Sequence, residues 1–258
     1  MFFVYNKDKI ISVVIALSTV LVLFLIAGVF NKNNLNNTVE TISSTAKLVP
    51  IYSVDTNETK VALTINCAWN AEDIDLILET LSRNDVNITF FIVGDWAAKF
   101  PEAVKKIYES GNEIANHSYS HSHVNNLNYE ENVEEIKKCS EGIKKVIGIG
   151  TSLYRGPYGE YNDTVIKSAM DNNHTMIQWS IDSLDYKGFT QEQMWERINE
   201  KLNNGSIILM HNGTENTALS LDYIIKNIKE KGYEIVTVSN LIYKDNYTID
   251  NNGVQHKN

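Results

Sequence analysis

Three of the chain's six histidines fall within His117-Ser118-Tyr119-Ser120-His121-Ser122-His123. His117 and His121 are four apart, a spacing that on a helical turn sets both imidazoles on one face, able to grip one metal ion. The alternative is a polar loop with unrelated histidines, since histidine is also common at surfaces. The pair follows a short apolar segment, Glu113-Ile114-Ala115, so it is expected at a strand end, where active sites of α/β folds gather. Other residues able to do chemistry stand in the same kind of place. Asn66 and Cys67 end the apolar run from Val61, Arg155-Gly156-Pro157-Tyr158-Gly159 follows Ser152-Leu153-Tyr154, Asp182 and Asp185 follow Met176–Trp179, and His211 follows Ser206–Met210.

The elements that must position these residues alternate regularly from Lys60. The strands just named, with further ones at Ile88–Val93 and Glu234–Val236, are separated by segments of helical periodicity. Helices are predicted over Ile74–Leu81, Pro101–Ser110, Tyr129–Val146, Asn162–Asp171, Gln191–Leu202 and Ala218–Lys231. Pro101 near a first turn and Gly111 beyond a last one fit the preferences of helix ends. Some seven strand–helix units without a break imply an α/β fold with a parallel sheet. No Gly-rich phosphate loop is present, which favours a distorted (β/α) barrel of about seven parallel strands over a nucleotide-binding open sheet. In a barrel the strand ends share one mouth.

The chain has 258 residues, 43% hydrophobic and 21% charged, a globular balance. Its net charge of −9 argues against nucleic acid and against anionic lipid as main partners. Two cysteines, Cys67 and Cys139, make no disulfide framework. Ile10–Phe30 is 21 residues without a charge, long enough at about 1.5 Å per residue to span a bilayer core of roughly 30 Å. Lys7 and Lys9 precede it, which keeps the short amino end in the cytoplasm and puts the rest outside. A cleaved signal peptide is the alternative, but the run is long for one and Ala27-Gly28-Val29 is a poor cleavage site. The expected organisation is a cytoplasmic stub and transmembrane helix over 1–30, a linker over 31–59 with a weak strand candidate at Leu48–Val54, one folded domain over 60–243 and a disordered tail over 244–258. The expected location is the cell membrane, single-pass, with the domain extracytoplasmic.

Thr64-Ile65-Asn66-Cys67, His117-Ser118-Tyr119-Ser120-His121, Arg155-Gly156-Pro157-Tyr158, Asp182-Ser183-Leu184-Asp185-Tyr186 and Leu209-Met210-His211 resemble, in order, the five motifs of the polysaccharide deacetylases. This is the NodB-homology domain of carbohydrate esterase family 4. The resemblance covers about Lys60 to Tyr243. Trp69 and Trp179-Ser180-Ile181-Asp182-Ser183-Leu184-Asp185 look most like its membrane-anchored, sporulation-associated branch. The resemblance implies a distorted (β/α) barrel and removal of acetyl groups from N-acetylated sugars of peptidoglycan, chitin or related glycans, with a divalent metal. It implies His117 and His121 as metal ligands and the Tyr158 backbone N–H as an oxyanion donor. It further implies His211 as the acid that protonates the leaving amine, Asp185 as its orienting partner, and Arg155 as the partner of the catalytic base. The chemistry asks for these types: a metal polarises the carbonyl, a backbone donor meets the oxyanion, and an amine leaves only when protonated.

The chain departs from the family in its first motif, where Asn66 and Cys67 stand in place of a base Asp and a ligand Asp. The Asn66 amide accepts no proton at neutral pH, and loss of a positioned base typically costs about 10²–10⁴ in rate. Cys67 as a thiolate would complete a Cys-His-His set suited to zinc; as a small apolar residue it would simply end the strand. His211, Glu72 or Asp73 are conceivable substitutes for the base. The His211–Asp185 pair favours a hydrolase, an N-deacetylase of cell-wall glycan. Asn66 favours the alternative, a catalytically impaired glycan-binding or envelope protein.

Overall fold

The computed structural model describes Lys47–Asn258. The expected anchor, Ile10–Phe30, and the first part of the expected linker lie outside the described residues. Among the described residues no helix is long and apolar enough to cross a membrane.

Val61, Leu63, Ile65 and Cys67 alternate with Ala62, Thr64 and Asn66 along one unbroken strand, β2 (Lys60–Cys67), buried from Val61 onward. A strand covered on both faces reads as a continuous apolar run, as this one does. The odd-numbered residues join an apolar cluster with Ile77, Leu81, Val104 and Ile224 of the surrounding helices. Ala62 joins a second cluster with Phe91, Ala115, Ile177 and Ile207. The period of two therefore sends one set of β2 side chains out to the helices and the other into the hollow of the sheet.

β3 (Thr89–Ile92) pairs with the second half of β2, β8 (Ile207–His211) with its other edge, and β9 (Glu234–Val236) with its first residues. β4 (Glu113–Asn116), β5 (Leu153–Tyr154) and β6 (Thr175–Met176) continue beyond β3, and β7 (Ile181–Asp182) lies beyond β8. Every pairing in this sheet is parallel. The path β6-β5-β4-β3-β2-β8-β7 is a curled half-barrel of seven parallel strands, in agreement with the expected class. The chain just before β2 ties its two sides together: Ile51 bridges to Ile177 and Ser53 to Ser206.

The helices fall where periodicity places them, at Ile74–Arg83, Pro101–Glu109, Tyr129–Ile147, Asp163–Asp171, Gln191–Lys201 and Thr217–Glu230. Tyr129–Ile147 begins with a capping box between Asn128 and Glu131 and ends at Gly148 in the left-handed region, φ 82°. Two short helices, Gly94–Lys99 and Val238–Leu241, have no counterpart in the sequence reading, being too brief to show a period.

The expected boundaries need correction at both ends. Residues 51–54, assigned to the linker apart from a strand candidate there, are part of the fold, with β1 (Ser53–Val54) pairing to β11 (Val254–Lys257). The tail after Tyr243 is not disordered: β10 (Tyr247–Ile249) and β11 (Val254–Lys257) form an antiparallel hairpin beside β1. Its turn, Asp250-Asn251-Asn252-Gly253, is a hairpin signal legible in the sequence. The strands it joins are too short and too polar to stand out by hydrophobic pattern.

Candidate active site

Strand parity assembles the site. Asn66 is register partner of His211 on β8 and of Phe91 on β3. Ala115 and Ile207 belong to the inner cluster, so His117, two residues past Ala115, and His211, four past Ile207, also turn inward. These side chains, with His121, Tyr158, Asp182, Trp69, Trp179 and Tyr186, line a cavity of about 400 Å³ at the carboxyl ends of the strands.

His117 is buried, and its Nδ1 lies 2.8 Å from the Arg155 carbonyl oxygen. A carbonyl only accepts, so Nδ1 carries the proton and Nε2 is left as an acceptor for the cavity. Burial holds the imidazolium form well below the ordinary pKa, and His121 beside it adds to this. The His121 ring is 5.1 Å away at 78°. The helical turn expected for this pair is absent: the chain after β4 is a loop with Ser118 at φ 67° and His121 at φ 57°. Left-handed residues bring the two rings together instead. The loop is held by Glu135, whose carboxylate accepts from the Ser118 hydroxyl at 2.5 Å, the Tyr119 and Ser120 N–H groups at 2.9 and 2.8 Å, and the Ser120 hydroxyl at 2.9 Å. Burial pushes this carboxyl up, but those hydrogen bonds outweigh it and hold the pKa below the usual value. The sequence reading missed Glu135, because no local spacing links a helix glutamate to a loop more than a dozen residues before it.

His211 and Asp185 meet as expected. Asp185 is fully buried and accepts from His211 Nδ1 at 2.9 Å, the His211 N–H at 2.5 Å, the Thr217 hydroxyl at 2.7 Å and the Tyr186 N–H at 2.9 Å. Four donors hold the carboxylate stationary, and the imidazole offers Nε2 to the cavity. Trp69 and Tyr186 stand over the His211 ring at centroid distances of 5.5 and 5.4 Å.

Tyr158 sits in Pro157-Tyr158-Gly159 at φ 59°, a left-handed conformation for a residue with a side chain. Gly159 also has positive φ, 71°, and a Cβ there would come within 2.8 Å of the Trp179 ring. The turn's bonds run from Gly159 N–H to Gly156 O and from Glu160 N–H to Pro157 O, so it makes no use of the Tyr158 N–H. The Tyr158 ring stacks on His123 at 4.2 Å and meets His121 edge-on at 4.7 Å.

Arg155 is a fully buried cation. Its guanidinium lies 3.8 Å over the Phe91 ring and donates to Thr64 Oγ1 and Asn66 Oδ1, both at 2.9 Å, and to the carbonyls of Gln178 and Ile177 at 3.0 and 3.4 Å. All four acceptors are neutral. Burial without a carboxylate lowers its pKa to about 9. No carboxylate faces the guanidinium; the side chain at the position where the resemblance implies an Asp is the Asn66 amide.

The structure does not bring Cys67 to the histidines. β2 runs on through Cys67, which pairs with Ile92, so the thiol points to the helix side, opposite to Asn66, and is fully buried among apolar residues. Burial, and secondarily Asp73, hold it well above the ordinary thiol pKa, where it stays protonated and ligates poorly. Asp73 is not a substitute base either: it accepts from the Gly213 N–H at 2.7 Å and the Asn212 amide at 3.2 Å. Glu72 is exposed and outside the cavity lining.

These residues do not fit a resident divalent cation. Among the described residues no three His, Cys, Asp or Glu side chains converge on one point. Two neutral imidazoles remain, with the Asn66 amide and a guanidinium without a counter-charge beside them.

The polysaccharide deacetylase family profile matches residues 53–177. The chain is 34% identical to the uncharacterized Bacillus subtilis protein YlxY, over 75% of this chain but only 60% of that one. It is 33% identical to a Bacillus cereus peptidoglycan-N-acetylglucosamine deacetylase, over 74% of this chain and 70% of the relative. Among solved structures, a family 4 carbohydrate esterase pseudoenzyme from Bacillus anthracis superposes with a TM-score of 0.72 and 33% identity, covering 75% of this chain and 68% of that one. A mutant of that pseudoenzyme with restored enzymatic activity superposes with the same TM-score.

Proposed function

The chain belongs to the polysaccharide deacetylase family, and from that premise we propose that it binds N-acetylated cell-wall glycan while turning it over poorly or not at all. The observation that carries this reading is the Arg155–Asn66 contact: a buried guanidinium donates to an amide at 2.9 Å where deacetylation needs an ionised base. Water entering the cavity finds no carboxylate at Asn66 to take its proton, and loss of a general base costs about 10²–10⁴ in rate. Exposed Trp69, Tyr158 and Tyr186 supply faces for stacking around the cavity mouth.

A second reading, a slow deacetylase, is favoured by the intact His211–Asp185 pair. Asp185 orients the ring so that Nε2 faces the position of a leaving amine, and the Tyr158 N–H is free to meet an oxyanion. A divalent metal would supply polarisation of the acetyl carbonyl in this reading, with His117 and His121 as its ligands. The donor set described above does not fit that role, because the zinc expected with Cys67 as third ligand loses that ligand, and this counts against the second reading.

The substrate class follows the Bacillus cereus relative, whose name states peptidoglycan N-acetylglucosamine deacetylation. We place the domain outside the cytoplasm, held to the membrane by Ile10–Phe30, because the lysines lie before that run. The deciding experiment is paired: affinity for N-acetylglucosamine oligomers and acetate release from them, on the same full-length preparation. Binding without acetate release is the expected result. Release at a rate ordinary for such enzymes, or no binding to any N-acetylated glycan, refutes the proposal.

A further inference from the structure

We propose that the Asn66 side-chain amide is the hydrogen-bond donor that receives the acetamide carbonyl oxygen of an N-acetyl sugar, so that the site reads acetylated glycan without a metal. This rests on the glycan-binding reading above. Its physical basis is the orientation of one amide. Arginine has donors only, so the Asn66 atom 2.9 Å from the Arg155 guanidinium must be the oxygen Oδ1. Nδ2 then points away from Arg155, in a side chain that lines the cavity and is 5% exposed. Among the described residues nothing accepts from Nδ2, and Nδ2 is not one of the fully buried polar atoms left without a partner, so it is a donor that a molecule in the cavity can reach. The guanidinium pulls on Oδ1 and polarises the N–H bonds on the other side, strengthening them as donors.

The remaining cavity groups complement an acetamide in the same way. His117 Nε2 and His211 Nε2 are acceptors while neutral, because each ring commits Nδ1–H to the Arg155 carbonyl or to Asp185. An acetamide offers one carbonyl oxygen for Asn66 and one N–H for an imidazole. A deacetylated sugar lacks the carbonyl oxygen: its ammonium has donors only, which an imidazole could still accept, and it would meet the donor face of Asn66 with the uncompensated Arg155 charge behind it. The carboxylate of Asp182, at the cavity wall, is already engaged by the Leu184 N–H at 2.9 Å and by the Tyr186 hydroxyl at 3.4 Å.

The test is equilibrium binding of the full-length chain to N-acetylglucosamine oligomers and to the matching glucosamine oligomers, in EDTA and again with zinc. Asn66→Asp is the informative variant, because it keeps the shape, pairs with Arg155 and replaces the donor by an acceptor. In EDTA the wild type is expected to bind the acetylated oligomer at least about tenfold more tightly than the free amine. Asn66→Asp is expected to lose about tenfold for the acetylated oligomer, the worth of one charge-assisted hydrogen bond. Glycan binding by the wild type that requires zinc, equal affinity for both oligomers, or unchanged affinity in Asn66→Asp overturns the donor assignment and leaves the glycan-binding reading standing. No binding of either oligomer by the wild type, with or without zinc, overturns both.

Discussion

Asn66→Asp places a carboxylate 2.9 Å from a guanidinium that is now surrounded by neutral oxygens. Two unit charges at that distance attract by about 6 kcal/mol at an effective dielectric near 20. Against this stands the desolvation of the new carboxylate, several kcal/mol for a buried ion. The desolvation of Arg155 is already present in the wild type, so it does not enter the difference. A net stabilisation of about 1–3 kcal/mol is expected near pH 7, a rise of roughly half to one molar in the urea midpoint. The sign with pH follows from the charge. The new carboxyl has a folded pKa below its unfolded value of about 3.9, so its contribution is complete above that value and disappears as pH falls through the folded pKa. Urea unfolding of wild type and variant, followed by tryptophan fluorescence near pH 7 and again in acid, measures both. Equal midpoints near pH 7 would refute the description of Arg155 as a buried cation lacking its anion.

Four further outcomes are expected, three from the geometry and one from the amino-terminal sequence. Acetate release should rise on the order of 10²-fold in Asn66→Asp if the His211–Asp185 half of the site is competent; no release in wild type or variant, with glycan still bound, would mean that the remainder of the site has also lost function. Cys67→Asp, which in the sequence looks like restoration of a metal ligand, should instead destabilise the domain by about 3 kcal/mol or more, because it buries a carboxylate among helix-facing apolar side chains; a urea midpoint unchanged from wild type would show that the side chain reaches the cavity after all. Glu135→Gln should loosen the His117–His123 loop, and in the wild type the same loosening should appear as pH falls through the depressed Glu135 pKa, with amide exchange of Tyr119 and Ser120 as the readout. Protease added to wall-stripped cells should degrade the domain, and full protection would remove the anchor from the account.

Much of this protein was legible from one-dimensional pattern. The alternation of apolar runs with helical periodicity gave the parallel sheet, because each element must bury its own face whatever its neighbours are. Polar residues at the ends of apolar runs marked Asn66, His117, Arg155, Asp185 and His211, because the carboxyl ends of parallel strands open to one side. Other features were decided only in three dimensions. Asn66 and Cys67 are adjacent in sequence and looked like a pair, but β2 remains hydrogen-bonded to β3 through Cys67, so the pleat turns one side chain into the cavity and the other to the helices. The His117–His121 pair converges through left-handed loop residues clamped by a glutamate on a distant helix, not by the helical turn that its spacing suggests. The neutral surroundings of Arg155 come from residues between 64 and 178, contributed by separate strands and their loops. A local pattern can name a residue's type and its place along an element. Which face it turns to, and which charge it meets there, depends on pairing and packing between segments far apart in the chain.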